Sequence, residues 1–270
     1  MKANVRRAYL IIALCCVGYL AQAQEIIRST DTVKKSAPPI ARQKPKGPKA
    51  IKHEVSGGFR LNTDGWSIYT DFGKVKSNDA KHSDMFYNVR VLQVEFTEKK
   101  NPTEIKTTST DGTGSNSYVY GKINNFYSLK LGWGFRRLIA GKPDPGTVSI
   151  HWVNTGGVAL GLLKPYYLNV FSDPSAIEYK DPNKVDFLNQ PLIEGSAGFS
   201  KGLSQLTFIP GFHFKSALHF DFSNNRKMAL AVETGLNVEY YTSPIALMAD
   251  QPAVPYFCDL FVAIQFGKRW

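Results

Sequence analysis

The sequence predicts an all-β protein: a closed antiparallel transmembrane β-barrel of about eight strands, preceded by a signal peptide and a disordered basic Pro/Lys-rich tail. Three observations carry that prediction. Apolar residues recur with a period of two over runs long enough to cross a bilayer as tilted strands. The opposite face carries charges of both signs together with glycine. The chain closes on an alternating run that stops at Trp270.

Lys2, Arg6 and Arg7 precede an apolar run from Ala8 to Leu20. That run is shorter than the roughly 20 apolar residues of a spanning helix. Ala21-Gln22-Ala23 follows, the small-x-small pattern of a signal-peptidase site, so cleavage is expected after Ala23. A lipoprotein reading on Cys15 or Cys16 comes second, because Leu14 is bulky for the residue ahead of such a cut. Maturation then leaves Cys258 alone, and no intramolecular disulfide can form.

The net charge of +11 divides unevenly. The signal holds +3. Residues 25–52 hold Arg28, Lys34, Lys35, Arg42, Lys44, Lys46, Lys49 and Lys52 against Glu25 and Asp31, or +6, which leaves +2 for 53–270. The basic pI therefore belongs to a tail and not to a nucleic-acid-binding face. With Pro38, Pro39, Pro45 and Pro48, residues 24–52 read as an extended periplasmic linker. The barrel is expected over 53–270.

Eight strands are predicted at 54–62, 65–74, 84–97, 117–139, 147–163, 206–223, 226–242 and 255–268. In 127–136, Tyr127, Leu129, Leu131, Trp133 and Phe135 oppose Ser128, Lys130, Gly132, Gly134 and Arg136. In 206–222, Phe208, Phe212, Phe214, Leu218, Phe220 and Phe222 oppose His213, Lys215, His219 and Asp221. In 228–240 the even residues are Met228, Leu230, Val232, Thr234, Leu236, Val238 and Tyr240, while Glu233, Asn237 and Glu239 take the other face. A soluble sandwich or lipocalin-like barrel also alternates. The aromatic weight of the apolar face and the mixed charge of the other face favour lipid outside and a narrow polar lumen inside. In the third strand the parity switches between Val89, Val91 and Leu92, Val94, Phe96, which predicts a β-bulge.

An even strand count puts both termini on one side, the periplasm, with long connections at 98–116, 164–205 and 243–254 outside. Two connections break the short-turn rule: Asn62-Thr63-Asp64-Gly65 reads as a tight turn on the outer side, and 75–83 is long on the inner side. Tyr166, Tyr167, Tyr240, Tyr241 and Tyr256 are expected at the outer membrane rim and Trp270 at the inner one. Parity with Leu260 turns Cys258 toward lipid.

The inward set is expected to form a salt-bridged plug: Glu54, Arg60, Asp71, Glu95, Lys130, Arg136, His151, His213, Lys215, His219, Asp221, Glu233 and Glu239. An enzyme is not expected. Ser149 and His151 share a face but point away from a lipid substrate and lack an orienting carboxylate, and His213 and Ser216 face opposite ways. No metal site is expected, since His213 and His219 lie about 20 Å apart along a strand. Asp111-Gly112-Thr113-Gly114 has no strand-to-helix context for binding phosphate. No cofactor is implied.

Tyr120-Gly121-Lys122 through Arg136-Arg137, Gly156-Gly157, Leu163-Lys164-Pro165-Tyr166-Tyr167 and the ending Phe266-Gly267-Lys268-Arg269-Trp270 together resemble small Bacteroidota-type outer-membrane β-barrel proteins. The resemblance covers most of 85–270. It implies the barrel fold and the membrane. The group is functionally uncharacterised and lends no catalytic or binding residue. Barrels of this general kind include accessory parts of envelope export machines. The expected function is thus a non-enzymatic structural or accessory barrel of the Gram-negative outer membrane, acting through loops or tail. A narrow pore is the alternative, and a lipid-modifying enzyme stands behind it. Expected partners are outer-membrane lipid and an envelope protein, with no nucleic acid.

Overall fold

Period-two alternation lets one strand face two solvents, and the chain uses it throughout. The computed structural model describes residues 51–76, 88–108, 117–141, 147–225 and 227–270, apart from the side chains of 173 and 174. The signal segment, the tail up to residue 50 and Asp111-Gly112-Thr113-Gly114 lie outside these. The strands are β1 (His53–Asn62), β2 (Gly65–Val75), β3 (Asn88–Lys99), β4 (Lys106–Thr107), β5 (Tyr118–Val119), β6 (Asn124–Ala140) and β7 (Ser149–Pro165), followed by β8 (Tyr167–Val170), β9 (Asp173–Glu178), β10 (Ile193–Ser196), β11 (Thr207–Asp221), β12 (Met228–Ile245) and β13 (Val254–Arg269).

Eight of these close into an antiparallel barrel in the order β1-β2-β3-β6-β7-β11-β12-β13, and β13 pairs back onto β1. Each barrel strand neighbours the next one in the chain. Closure leaves no barrel strand with an unpaired edge, which a strand in hydrocarbon could not tolerate. One end of the barrel carries both termini of the fold and is called here the terminal end; the other is the loop end.

Exposed apolar side chains cover the outer face of all eight strands. Phe59, Ile68, Leu92, Leu131, Val158, Phe212, Leu236 and Ile264 stand one on each, every one between 40% and 64% exposed. The alternate residues are buried inside. Along β11 these are Ile209, His213, Lys215, Ala217, His219 and Asp221.

β3 pairs with β2 and β6 without a register shift, so the expected bulge is absent. Its parity is regular, and Val89 and Val91 face inward, where they pack with Val75 in an apolar cluster. An inward-facing valine pair imitates a parity switch. The fourth predicted strand also needs correction. It starts at Asn124, because Gly121 turns the chain in the left-handed region (φ 72°) and sends Tyr118–Val119 away to pair with Lys106–Thr107. The tight turn at 62–65 is present, with Asn62 opposite Gly65. Gly65 has φ 151°, and a Cβ there would lie 2.0 Å from the Glu98 carbonyl oxygen, so only glycine fits.

Residues 166–206 are more than a loop. β10, β8 and β9 form a three-stranded antiparallel sheet. Leu168, Val170, Ile177, Phe187, Ile193 and Tyr118 bury a separate small core within this cap, below 5% exposed in each case. The cap is tied to the barrel mouth by Tyr166 N–H donating to the Ile123 carbonyl at 2.9 Å. The 246–253 segment tucks against the same place, with Ile123 N–H donating to Leu247 O at 2.9 Å and Ala249 N–H to Gly121 O at 2.8 Å.

Candidate functional site: the barrel lumen

The interior of an eight-stranded barrel is just wide enough to be filled by side chains. Here many of them are charged, and these pair across the lumen at successive heights. At the terminal end Arg269 binds Asp221 (2.5 Å) and Glu54 (2.6 Å), and Arg136 reaches Glu54 from the other wall at 2.7 Å. One level further in, Asp71 accepts from Gln93 at 2.6 Å and from Gln265 at 3.0 Å, with Arg136 3.8 Å away. Lys215 pairs with Glu233 at 2.8 Å, and His219 Nδ1 lies 3.5 Å from the same carboxylate.

At mid-height Arg60 binds Glu95 at 2.6 Å and lies 3.8 Å from Glu233. Its guanidinium sits 4.3 Å from the Phe261 ring centre and 4.7 Å from that of Tyr69, so cation–π contacts replace part of its lost hydration. Lys130 bridges Glu95 and Glu239, both at 2.8 Å. Toward the loop end Lys99 gathers Asp259 (2.7 Å), Asp64 (2.8 Å) and Glu239 (3.3 Å). Burying single charges at this depth would cost several kcal/mol each, so the reciprocal placement of the two signs is what makes the interior tolerable.

The span of these contacts matters as much as their length. β3 and β12 lie on opposite sides of the barrel, and Lys99–Glu239 joins them. β6 and β13 are likewise opposite, and the Phe126 and Phe257 rings stack across the lumen at 5.5 Å. Tyr241 meets Phe126 edge-on at 5.1 Å, and Ile209, Ile245, Leu247 and Met248 complete an apolar seal under the cap. The lumen is therefore crossed by side chains at several heights, polar below and aromatic at the loop end.

Arg60, Asp71, Glu95, Lys130, Arg136, His213, Lys215, His219, Asp221, Glu233 and Glu239 are all buried inside the barrel. His213 fits because its ring reaches over Gly157 toward Gly132, two strands away on the same wall: a Cβ on Gly132 would lie 2.8 Å from its Nε2. Lys99, Asp259, Arg269, Gln93 and Gln265 belong to the same networks and were not named from the sequence. Parity contained Asp259, Gln265 and Gln93, since they alternate with Leu260, Ile264 and Leu92. Lys99 and Arg269 lie one or two residues past the predicted strand ends.

Three of the rim aromatics need correction. Tyr241 is fully buried: its hydroxyl donates to Glu239 at 2.6 Å and lies 2.8 Å from Ser128 Oγ. Adjacent strand residues point to opposite faces, so Tyr240 and Tyr241 cannot both reach a rim. Tyr166 packs against the cap core, and its hydroxyl accepts the Val119 N–H at 3.2 Å. Tyr167 lies in β8, hydrogen-bonded to Gln205 at 2.8 Å. Tyr240 and Tyr256 do face outward, directly opposite each other near the loop end, and Trp270 is exposed at the terminal end beside His53.

Ser149 and His151 are buried at the terminal end, and the His151 ring packs edge-on against His219 at 5.8 Å. Among the described residues no group of three or more His, Cys, Asp or Glu is placed to hold a metal ion. Cys258 is exposed on the outer face.

No protein-family profile and no curated protein sequence matches this chain. Solved structures similar to it include small outer-membrane proteins. The attachment invasion locus protein Ail of Yersinia pestis aligns at 9% identity and TM-score 0.38, over 82% of this chain and 99% of Ail. Neisserial surface protein A aligns at 6% identity and TM-score 0.41, over 82% and 98%. A major outer membrane protein from Thermus thermophilus aligns at 10% identity and TM-score 0.40, over 82% and 100%.

Proposed function

We propose that this chain is a non-enzymatic, lumen-plugged β-barrel of the Gram-negative outer membrane, serving as a structural or accessory component of the envelope. The observation that carries the reading is the reversal of polarity across one wall. Apolar side chains cover the outside of all eight strands, whereas ion pairs fill and cross the inside. A barrel in water would expose far more apolar surface than a soluble protein sustains, and in lipid that surface is solvated. The crossing pairs favour a plugged lumen over a conducting path.

In this reading the termini face the periplasm and the cap faces outward. Function then resides on the two ends: the cap, and the basic tail that joins the barrel at His53, either of which can engage an envelope protein. Heat-modifiable migration of the membrane fraction on SDS gels tests the barrel in its membrane. Planar-bilayer recording tests the plug: the expected trace is flat, and reproducible single-channel steps would replace the plugged barrel with a narrow pore.

A further inference from the structure

Among the described residues, the charge exposed at the terminal end has one sign. Lys52, Lys74, Arg90, Arg137, Lys227 and Lys268 are all exposed there. The two acidic side chains described at that level, Glu54 and Asp221, are inside the barrel, held by Arg269 and Arg136. None of the six basic groups has an ion-pair partner among the described residues. Residues 77–87, 142–146 and 226 lie outside the described residues and hold three basic and three acidic side chains in the sequence.

The arc is also placed in an unfavourable way unless something anionic covers it. Lys74 and Arg90 stand directly opposite each other on β2 and β3, and like charges so paired repel. In barrel order the six groups lie on or beside β12, β13, β1, β2, β3 and β6, a continuous run of neighbouring strands. They are interleaved with the apolar wall: Lys74 follows Phe72, Arg90 precedes Leu92, and Lys268 follows Phe266, two residues away in each case. Arg90 lies 5.5 Å over the Trp133 ring and Arg137 5.9 Å over Phe135. Long basic side chains that keep their stems on an apolar belt and lift their charge past its edge reach the depth of lipid phosphates.

We propose that this basic arc binds the headgroups of anionic phospholipids in the leaflet at the terminal end, giving the barrel a lipid preference on that side. The proposal rests on the membrane reading above. Lipid is favoured over a soluble acidic protein because the charges are threaded into the lipid-facing wall instead of being gathered on a protruding surface. Lys52, through which the tail joins the barrel, lies at the same end.

The four tryptophans report on the surrounding lipid. The full mature chain is reconstituted in phosphatidylcholine vesicles containing phosphatidylglycerol, with bromine on the acyl chains of one lipid or the other, and tryptophan quenching is read. The expected result is preferential quenching by brominated phosphatidylglycerol, with a relative affinity of roughly fivefold or more. It should fall toward one in Lys74→Gln/Arg90→Gln/Arg137→Gln, whose tail is untouched. In the unaltered protein 0.5 M salt should weaken the preference similarly, which keeps the test open if the variant fails to fold. Quenching that follows mole fraction in the unaltered protein overturns the proposal and leaves the membrane reading standing. Absence of quenching by either lipid would instead remove the membrane reading. Binding of soluble polyglutamate without any lipid preference would assign the arc to an acidic protein and equally overturn it.

Discussion

The inner and outer faces of the barrel wall are made by the same strands, yet they follow opposite rules. His219 is buried beside Glu233, and its chain neighbours Leu218 and Phe220 face out. Lys130 holds two carboxylates, whereas Leu129 and Leu131 on either side of it are each more than 45% exposed. In a water-soluble protein burial selects apolar groups. Here it selects paired charges, as a barrel with an apolar medium outside requires, and the interior must satisfy whatever polar groups face it. Stability of the inside therefore depends on reciprocity between individual groups, while the outside depends only on being uniformly apolar.

Single substitutions can upset either rule. The largest effect is expected inside. Arg60→Met leaves Glu95 without its 2.6 Å partner and should cost about 3–5 kcal/mol in reversible unfolding from vesicles. Adding Glu95→Gln should recover part of that loss, although Lys130 then loses a partner too; an additive double variant would show that the pair is not coupled. Next comes the outer wall. Leu131→Arg, placed between Val94 and Val158 on the neighbouring strands, should cost about 2–4 kcal/mol if it lies near the bilayer midplane. A cost near zero would show that the belt is not in hydrocarbon.

A smaller loss of about 1–3 kcal/mol is expected for Tyr241→Phe, which removes the hydroxyl that Glu239 accepts from while keeping the ring against Phe126. The same change should leave bilayer conductance flat, because the aromatic seal remains. A channel opened by the loss of one hydroxyl would show that hydrogen bonding, and not ring packing, closes the loop end. The least change belongs to Cys258 on the outer face. Cys258→Ala should leave stability nearly unchanged, whereas the native thiol should react faster with a lipid-soluble maleimide than with a charged one. Faster reaction with the charged reagent would move that position out of the lipid.

Alternation made much of the wall legible, including the parity of β6, β11, β12 and β13, because each residue's face follows from its distance to the next along a strand. It failed where an inward residue was apolar. Val89 and Val91 line the lumen with Val75, and their parity imitates a bulge. It also failed where a tyrosine was counted by position along the chain and not by parity, as Tyr241 was. The cap at 166–206 escaped because its strands are four to six residues long, too short for a period to declare itself, and its core draws Tyr118 from a distant segment.

Local pattern alone set the type of wall, its approximate strand number and the face of most wall residues, since these are consequences of a two-residue period. Which charges meet was settled only by the assembled barrel. Arg60 and Glu95 are 35 residues apart and Lys99 and Asp259 are 160 apart. Such partners are fixed by register and closure, which bring strands together around a circumference that no local pattern encodes. The same closure collected Lys74, Arg90, Arg137 and Lys268 into one arc, four basic residues on four separate strands and one charged edge on the barrel.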